Sequence, residues 1–346
     1  MIYFRSDYSQ GGHPKIMEAL MKTNLEHTDG YALDPHSEHA AEMIKEMIGR
    51  SDCEVYMMVG GTPSNVITIA SALKPWEAVV APRTAHIYSH ECGAVEATGH
   101  RVLTVDGVDG KLTPELIDKA WLEYEDDHTV VPKMAYISHT TESGTVYTKA
   151  ELEALRAKCD EHDMYLCMDG ARLGAGLTCE DTDLTIRDIA RLTDAFYIGG
   201  TKNGLLLGEA VIVFDDYIND HYRWMIKQNC GMLAKGRLIG VQFEALLEGG
   251  ENSLFYEIGA HENKMAKKLR EGLLAKGVKF DGTSTTNQIF PILKTETVRE
   301  LEKDFFFYDW APYDEEHRVV RLVTSWGTTE EDVDAFLAAM DKLLNR

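Results

Sequence analysis

Short apolar runs alternate with segments of helical period along the chain up to residue 215. The runs are short and nearly continuously apolar, as buried strands are; they are EVYMMV, AVVAP, HRVLTV, KMAYIS, MYLCMDG and DAFYIGG. The intervening helical segments include HPKIMEALMKTN, SEHAAEMIKEMIG, VITIASAL, TPELIDKAWLEYE and TKAELEALRAKCDEH. Continuous apolar strands separated by helices predict an α/β fold, with a mostly parallel central sheet covered by helices on both faces.

The pattern changes after residue 215. Two long helical stretches, 215–248 and 253–276, lead into a tail that alternates strands and helices: NQIFPIL, a short helix, DFFFYDW, RVVRLVTSW and TTEEDVDAFLAAMDKLL. This tail predicts a smaller C-terminal α+β domain. We therefore expect a large domain over residues 1–240 and a small domain over residues 241–346.

Composition narrows the class of protein. The 346 residues are 44% hydrophobic and carry a formal net charge of −22, which argues against nucleic acid or an anionic membrane as a partner. No secretory signal pattern and no apolar run of membrane-spanning length is present. The six cysteines form no C-x-x-C pair, as expected of reduced thiols, and the expected location is the cytoplasm.

Candidate chemistry lies at three predicted strand ends, where parallel α/β sheets bind their ligands. Gly60, Gly61 and Thr62 follow one strand and open a helix, so their backbone N–H groups suit an anion. Asp169 and Arg172 lie just after a second strand. Lys202 follows a third in YIGGTKNG, where a buried amine is costly to keep charged.

Each of these features alone has an ordinary interpretation: a turn, a helix cap, or a solvated lysine. No P-loop pattern is present, and no G-x-G-x-x-G opens a helix after the first strand. Pyridoxal 5'-phosphate fits all three features together, because it needs an anion site for its phosphate, a carboxylate for its pyridine nitrogen and a lysine for its aldehyde. The sequence therefore predicts this cofactor.

The motifs FRSDYS, GGTPSN, AHIYSHECGA, MDGARL and GGTKNG occur in this order. In order and spacing they resemble the low-specificity threonine aldolases of the β-eliminating lyase group, which are fold-type-I pyridoxal phosphate enzymes. The resemblance extends over essentially the whole chain. It implies a transferase-like fold of that type.

The resemblance also implies roles for individual residues. Lys202 would bind the cofactor covalently, Asp169 would contact its ring nitrogen, and His86 would stack on its ring and take part in catalysis. Gly61, Thr62 and Thr201 would hold the phosphate. Ser6, Arg172 and Arg321 would bind the substrate α-carboxylate, for which a guanidinium fork is suited, and Arg172 would also lie at the cofactor.

The chain departs from the family pattern at three places. Tyr31-Ala32-Leu33-Asp34-Pro35 lacks the acid that the family commonly has there. SHTTESG replaces a common Asn-Thr-His, so His139 is either a displaced counterpart or unrelated to that role. Near residue 235 the family supplies a basic residue to a neighbouring subunit's phosphate, and both Lys235 and Arg237 are candidates.

The expected activity is retro-aldol cleavage of a β-hydroxy-α-amino acid, such as threonine or allo-threonine, to glycine and an aldehyde. His86, His139 and an ordered water remain candidates for the general base. The alternatives are β-elimination, racemisation or transamination with the same cofactor, or a protein of this fold that binds the cofactor without turnover. The resemblance implies a homodimer or homotetramer with the active site near the subunit interface. No metal is expected, because neither His36 with His39 nor His86 with His90 has an obvious third ligand nearby.

Overall fold

The computed structural model describes residues 1–124 and 126–344. Its strands are β1 (Ile2–Tyr3), β2 (Glu54–Met58), β3 (Glu77–Pro82), β4 (Arg101–Val105), β5 (Val131–Ser138), β6 (Tyr165–Asp169), β7 (Ala195–Gly199), β8 (Glu209–Val213), β9 (Lys279–Phe280), β10 (Gln288–Ile289), β11 (Pro291–Lys294), β12 (Phe305–Phe306), β13 (Tyr308–Pro312) and β14 (His317–Val323).

The helices alternate with these strands. They are α1 (Pro14–Thr23), α2 (Pro35–Ile48), α3 (Gly61–Ala72), α4 (His86–Ser89), α5 (Ala94–Ala97), α6 (Pro114–Glu123), α7 (Lys149–Glu161), α8 (Leu173–Thr178), α9 (Ile186–Leu192), α10 (Asp216–Asn219), α11 (Tyr222–Gln228), α12 (Arg237–Leu247), α13 (Leu254–Ala275), α14 (Thr295–Leu301) and α15 (Glu330–Leu344). A short 3-10 helix, Gly250–Asn252, precedes α13.

The central sheet has seven strands in the order β2-β8-β7-β6-β5-β3-β4. Strands β7, β6, β5, β3 and β4 are mutually parallel, and β8 runs antiparallel to both of its neighbours, β2 and β7. The prediction of a mostly parallel sheet is confirmed. The N-terminal end of β8 consequently lies beside the carboxyl ends of the parallel strands, and Glu209 pairs with Gly199.

Apolar side chains cover both faces of this sheet. On β3, Ala78 and Val80 belong to one core, whereas Val79 and Ala81 belong to another, as the two-residue period of a strand requires. Helices α2, α6, α7, α9 and α12 contribute to the first core, and α3 and α11 to the second. The prediction of helices on both faces is therefore confirmed.

A second, five-stranded sheet follows along the chain, with β10-β14-β11-β9 in that order and β13 also paired to β14. With α13, α14 and α15 it encloses a third apolar core. The first residues of the chain join this part of the molecule: β1 pairs in parallel with β12, and Phe4 is fully buried in the third core. The division into domains 1–240 and 241–346 stays a prediction.

The long helix predicted over 215–248 is wrong. This segment forms three helices, α10, α11 and α12, separated by turns. His221 and Cys230 adopt positive φ angles of 60° and 61°, and an α-helix of L-residues does not continue through such backbone. The helix predicted over 253–276 is present as α13. Among the described residues, no helix combines the length and apolar character needed to cross a membrane.

Candidate active site

A cavity of about 610 Å³ lies at the carboxyl ends of β2, β6 and β7. Its walls come from segments far apart in sequence, because the parallel strands end at the same edge of the sheet. Eight of the nine predicted site residues line it: Gly61, Thr62, His86, Asp169, Arg172, Thr201, Lys202 and Arg321.

Asp169 is buried at the end of β6 and lies within a network of hydrogen-bond donors. Its carboxylate accepts hydrogen bonds from the Tyr136 hydroxyl (2.6 Å), the Ala171 N–H (2.9 Å) and the Asn65 amide (3.3 Å). Burial acts to raise the pKa of Asp169, but hydrogen bonds from Tyr136 and Tyr197 and the charge of Lys202 outweigh it, so the pKa is lowered. Asp169 is therefore held as a carboxylate that can accept a hydrogen bond from a protonated ring nitrogen.

Lys202 lies in the turn that follows β7, partly buried against the same cavity. Within the described part of the chain, no hydrogen bond or ion pair reaches its amine. Burial and the charge of Arg172 lower the pKa of Lys202, while Asp7, Asp169 and Glu209 oppose that shift. The amine is thus unengaged and biased toward the neutral, nucleophilic form.

Helix α3 begins at the cavity wall with Gly60 as its N-cap, and no side chain caps it. A Cβ atom at Gly61 would lie 3.2 Å from the Tyr197 hydroxyl, so glycine permits this close approach. The first-turn N–H groups, together with Thr62, suit an anion. The nearby Thr201 hydroxyl donates to Glu209 Oε1 at 2.8 Å.

His86 opens α4 and is oriented by a buried acid. Its Nδ1 lies 2.7 Å from Glu91 Oε1, and its backbone N–H donates to Glu142 Oε1 at 2.9 Å. Because a carboxylate only accepts hydrogen bonds, Nδ1 carries the proton, and Nε2 is the basic nitrogen of the neutral ring. Asn65 donates to the same Glu91 oxygen at 2.8 Å, which links His86 to Asp169.

The two arginines of the site differ in their partners. Arg172 forms a two-pronged ion pair with the buried Asp7, with Nε–Oδ2 at 2.6 Å and Nη2–Oδ1 at 3.1 Å. Burial acts to lower the pKa of Arg172, but the charge of Asp7 raises it overall. Part of the guanidinium fork predicted to hold a substrate carboxylate is therefore already engaged.

Arg321, on β14, lies between two aromatic rings. Its guanidinium carbon is 4.7 Å from the centre of the Tyr308 ring and 4.5 Å from that of Trp310, in cation–π contact. Its buried Nε has no hydrogen-bond partner among the described residues. Burial and the charge of Arg172 lower the pKa of Arg321 to about 10, and an anion in the cavity would relieve both costs.

Four other predicted residues lie outside the lining of this cavity. Ser6 bonds the Ser9 hydroxyl at 2.8 Å. His139 is fully buried, with Nδ1 accepting from the Tyr147 N–H at 3.4 Å, and burial lowers its pKa to about 4. Arg237 donates to the carbonyls of residues 23 and 24. Lys235 is exposed, and in the described ranges no hydrogen bond or ion pair involves its amine.

Sequence reasoning missed the residues that hold the predicted ones in place. They are Asp7 beside Arg172, Asn65 and Tyr136 beside Asp169, Glu91 beside His86, Glu209 beside Thr201, and Tyr308 and Trp310 beside Arg321. A signal was present for some of them. Tyr136 and Glu209 are polar groups within or beside otherwise apolar strand segments, KMAYIS and GEAVIV, where an unpaired polar atom would be costly.

Comparison with known proteins shows the family to which the chain belongs. The family model for β-eliminating lyases matches residues 3–296. The low specificity L-threonine aldolase of a Pseudomonas species is 31% identical over 338 residues, covering 95% of this chain and 94% of that protein. The chain belongs to the β-eliminating lyase family. The predicted resemblance to threonine aldolases is confirmed, and so is the prediction of a lyase.

Solved structures extend this result to the fold. A threonine aldolase of Leishmania major is 45% identical, with a TM-score of 0.97 and coverage of 99% of this chain and 100% of that one. An aspartate aminotransferase variant of Thermus thermophilus, 18% identical, superposes with a TM-score of 0.74 over 99% of this chain and 91% of that one, which is a likeness of fold alone. The predicted fold-type-I architecture of this β-eliminating lyase is confirmed.

Proposed function

We propose that this β-eliminating lyase uses pyridoxal 5'-phosphate to cleave a β-hydroxy-α-amino acid, such as threonine or allo-threonine, to glycine and an aldehyde by retro-aldol cleavage. The observation that carries the proposal is the unengaged amine of Lys202 in the same cavity as the Asp169 carboxylate. An amine without partners is available to bond an aldehyde, and an ionised carboxylate is available to a ring nitrogen.

The residues present fit this cofactor. The uncapped start of α3 at Gly61 and Thr62 suits a phosphate, with Thr201 nearby. The Nε of Arg321, which has no hydrogen-bond partner among the described residues, is free to donate to the substrate α-carboxylate. When bound, pyridoxal phosphate would provide an electron sink for the negative charge that develops at the substrate Cα. Asp169 would keep the ring nitrogen protonated, and His86 would cover the ring.

The roles of the remaining residues follow from their contacts. Tyr308 and Trp310 hold the Arg321 guanidinium in position, and Arg321 binds the α-carboxylate. Arg172 binds the same carboxylate through the edge of its guanidinium that Asp7 leaves open. Ser6 lies outside the cavity lining, where its hydroxyl bonds Ser9, and its role in binding the carboxylate stays a prediction. We assign removal of the β-hydroxyl proton to His86 Nε2, because Glu91 holds the proton on the opposite nitrogen; His139 lies too deep in the protein for this task.

We propose a homodimer or homotetramer in the cytoplasm, with the active site near a subunit interface and a small amino acid as substrate. Lys235 is the better candidate than Arg237 to reach a neighbouring phosphate, because the Arg237 guanidinium already bonds two backbone carbonyls.

The reaction is tested by incubating the protein with L-threonine and measuring acetaldehyde and glycine. We expect both products in equal amounts. The appearance of 2-oxobutyrate instead would indicate elimination and overturn the retro-aldol assignment, and absence of any product from β-hydroxy-α-amino acids would favour a protein that binds without turnover.

The covalent site is tested with Lys202→Ala. We expect loss of the absorbance band at about 420 nm. Borohydride reduction should no longer add mass to the peptide that contains residue 202, and substrate cleavage should fall to the uncatalysed level. Lys264→Ala is the matched control, because Lys264 is an exposed lysine paired with Glu330, and it should retain band and activity. His86→Asn should keep the band and lower kcat by about 10²–10⁴-fold.

A further inference from the structure

Glu209 is a buried acid at the start of β8 that lines the cavity. Its Oε2 accepts the Gly200 N–H at 2.6 Å, and its Oε1 accepts the Thr201 hydroxyl at 2.8 Å. No lysine, arginine or histidine of the described chain lies within ion-pairing distance of it. The turn that carries Lys202 is thus built around a carboxyl group that lacks a paired cation.

The surroundings of Glu209 set its ionisation close to neutrality. Burial raises its pKa to about 7, against the hydrogen bonds of Gly200 and Thr201 and the charge of Lys202, which act to lower it. The groups that face it are Lys202 from the turn and Tyr197 from β7, whose own pKa is raised well above its usual range by burial and by nearby acids that include Glu209. A further negative charge nearby would raise the pKa of this carboxyl group and favour its protonated form.

The Thr201 hydroxyl connects Glu209 to the proposed phosphate site. It has one hydrogen, which it donates to Glu209, and it accepts the Gly208 N–H at 3.1 Å. It therefore cannot donate to a phosphate oxygen while Glu209 is ionised. If Glu209 is protonated, its O–H donates to Thr201 Oγ, and the Thr201 hydrogen becomes available to the phosphate.

We propose that Glu209 takes up one proton when a phosphate group binds beside Thr201, and that it acts in this way as a positioning residue for the Thr201 hydroxyl and the Lys202 turn. The proton comes from solvent and is bound by a Glu209 carboxylate oxygen; no other bond forms or breaks. This inference rests on the proposed function, since it takes the phosphate to lie at Thr62 and Thr201.

The test is isothermal titration calorimetry of inorganic phosphate into the full chain freed of cofactor, at pH 8 in two buffers of different ionisation enthalpy. We expect about one proton taken up per phosphate bound, and an affinity that falls by about tenfold per pH unit above neutrality. In Glu209→Gln the amide donates to Thr201 as a protonated acid would. Its proton uptake should be near zero, and its phosphate affinity at pH 8 should at least equal that of the wild type.

Glu142→Gln is the matched control, because Glu142 is another cavity acid whose pKa burial raises, but it accepts from Ser138 and His86 instead of Thr201. It should keep the wild-type proton uptake. Phosphate binding without proton uptake, or equal uptake in Glu209→Gln, would overturn the inference and leave the proposed cofactor intact.

Absence of phosphate binding would also overturn it, and the spectrum of the wild-type chain with pyridoxal phosphate then decides separately whether the proposed function stands. If the Glu209 variant does not fold, the wild-type titration is repeated with sulfate, which takes up no proton itself at this pH. About one proton taken up per sulfate bound would still support the inference, and sulfate binding without proton uptake would overturn it.

Discussion

The acids near Lys202 show how local contacts separate groups of the same chemical type. Asp7 and Asp169 are both buried, yet both have lowered pKa values, because arginine, amide or hydroxyl donors outweigh the effect of burial. Glu262, buried close to Asp7 and Arg172, has a pKa raised well above its usual range by burial and by the charge of Asp7. Burial, weighed against the hydrogen-bond donors and positive charges that reach each carboxyl group, decides which acids stay ionised at neutral pH.

Tyr136→Phe tests this argument at Asp169. It removes a 2.6 Å hydrogen bond to a buried carboxylate, which should lower the free energy of unfolding by about 1.5–3 kcal/mol at pH 7. Because the folded-state pKa of Asp169 is lowered, its contribution is present above the unfolded pKa and is lost as the pH falls through the folded one. In the variant the folded-state pKa of Asp169 is higher. The difference in the free energy of unfolding between variant and wild type should therefore shrink as the pH falls from neutral to acid, which urea unfolding at neutral and acid pH measures.

Tyr147→Phe is the matched control for this experiment. Tyr147 is equally buried, but its hydroxyl accepts the Leu112 N–H at 2.7 Å and bonds no carboxylate of the described residues. Its loss of stability should be the same at neutral and acid pH. A Tyr136 variant whose loss is also independent of pH would contradict the assigned role.

At the scale of elements, the N-terminal segment joins distant parts of the chain. Strand β1 pairs with β12, and the backbone of Phe4 bonds both Phe306 and Val323. The Phe4 ring meets the Phe336 ring edge-on, with the ring centres 5.6 Å apart. Asp7, which holds Arg172, follows three residues later, so the packing of Phe4 helps place one wall of the site.

Phe4→Ala should lower the free energy of unfolding by about 3–5 kcal/mol, because it leaves a cavity in the third core. Chemical denaturation at neutral pH measures this change. Tyr3→Ala, which removes a half-exposed ring in edge contact with Phe306, should cost no more than about 1.5 kcal/mol. Equal losses in the two variants would mean that the N-terminal segment does not anchor the third core.

The start of α7 and the end of α2 agree with the predicted helical segments, because the residues that cap them lie beside those segments in sequence. Thr148 and Glu151 form the full capping box at the start of α7, and Gly49 ends α2 in the left-handed conformation. The sequence does not predict the breaks in the 215–248 helix, because they lie at His221 and Cys230. Glycine is the residue that usually signals a positive φ angle, and these two residues give no such signal.

At the scale of the whole molecule, the formal net charge of −22 disfavours the compact state through self-repulsion. Raising KCl from 10 to 150 mM shortens the screening length from about 30 to about 8 Å. The melting temperature at pH 8 should therefore rise, as measured by calorimetry. Near pH 5, where the net charge approaches zero, the rise should vanish. A fall at pH 8 would show that favourable ion pairs outweigh the repulsion.

The sequence by itself determined the fold class, the alternation of strands and helices, and the strand-end positions of Asp169 and Lys202. These are local properties, since the period of apolar residues and the residue that follows a strand are readable from neighbours in the chain. Only the tertiary structure decided that Asp7 pairs with Arg172, which lies 165 residues away in sequence. It also decided that His139 is buried away from the cavity and that Glu209 accepts the Thr201 hydroxyl. Which polar groups satisfy one another depends on packing in space, and sequence spacing does not record it.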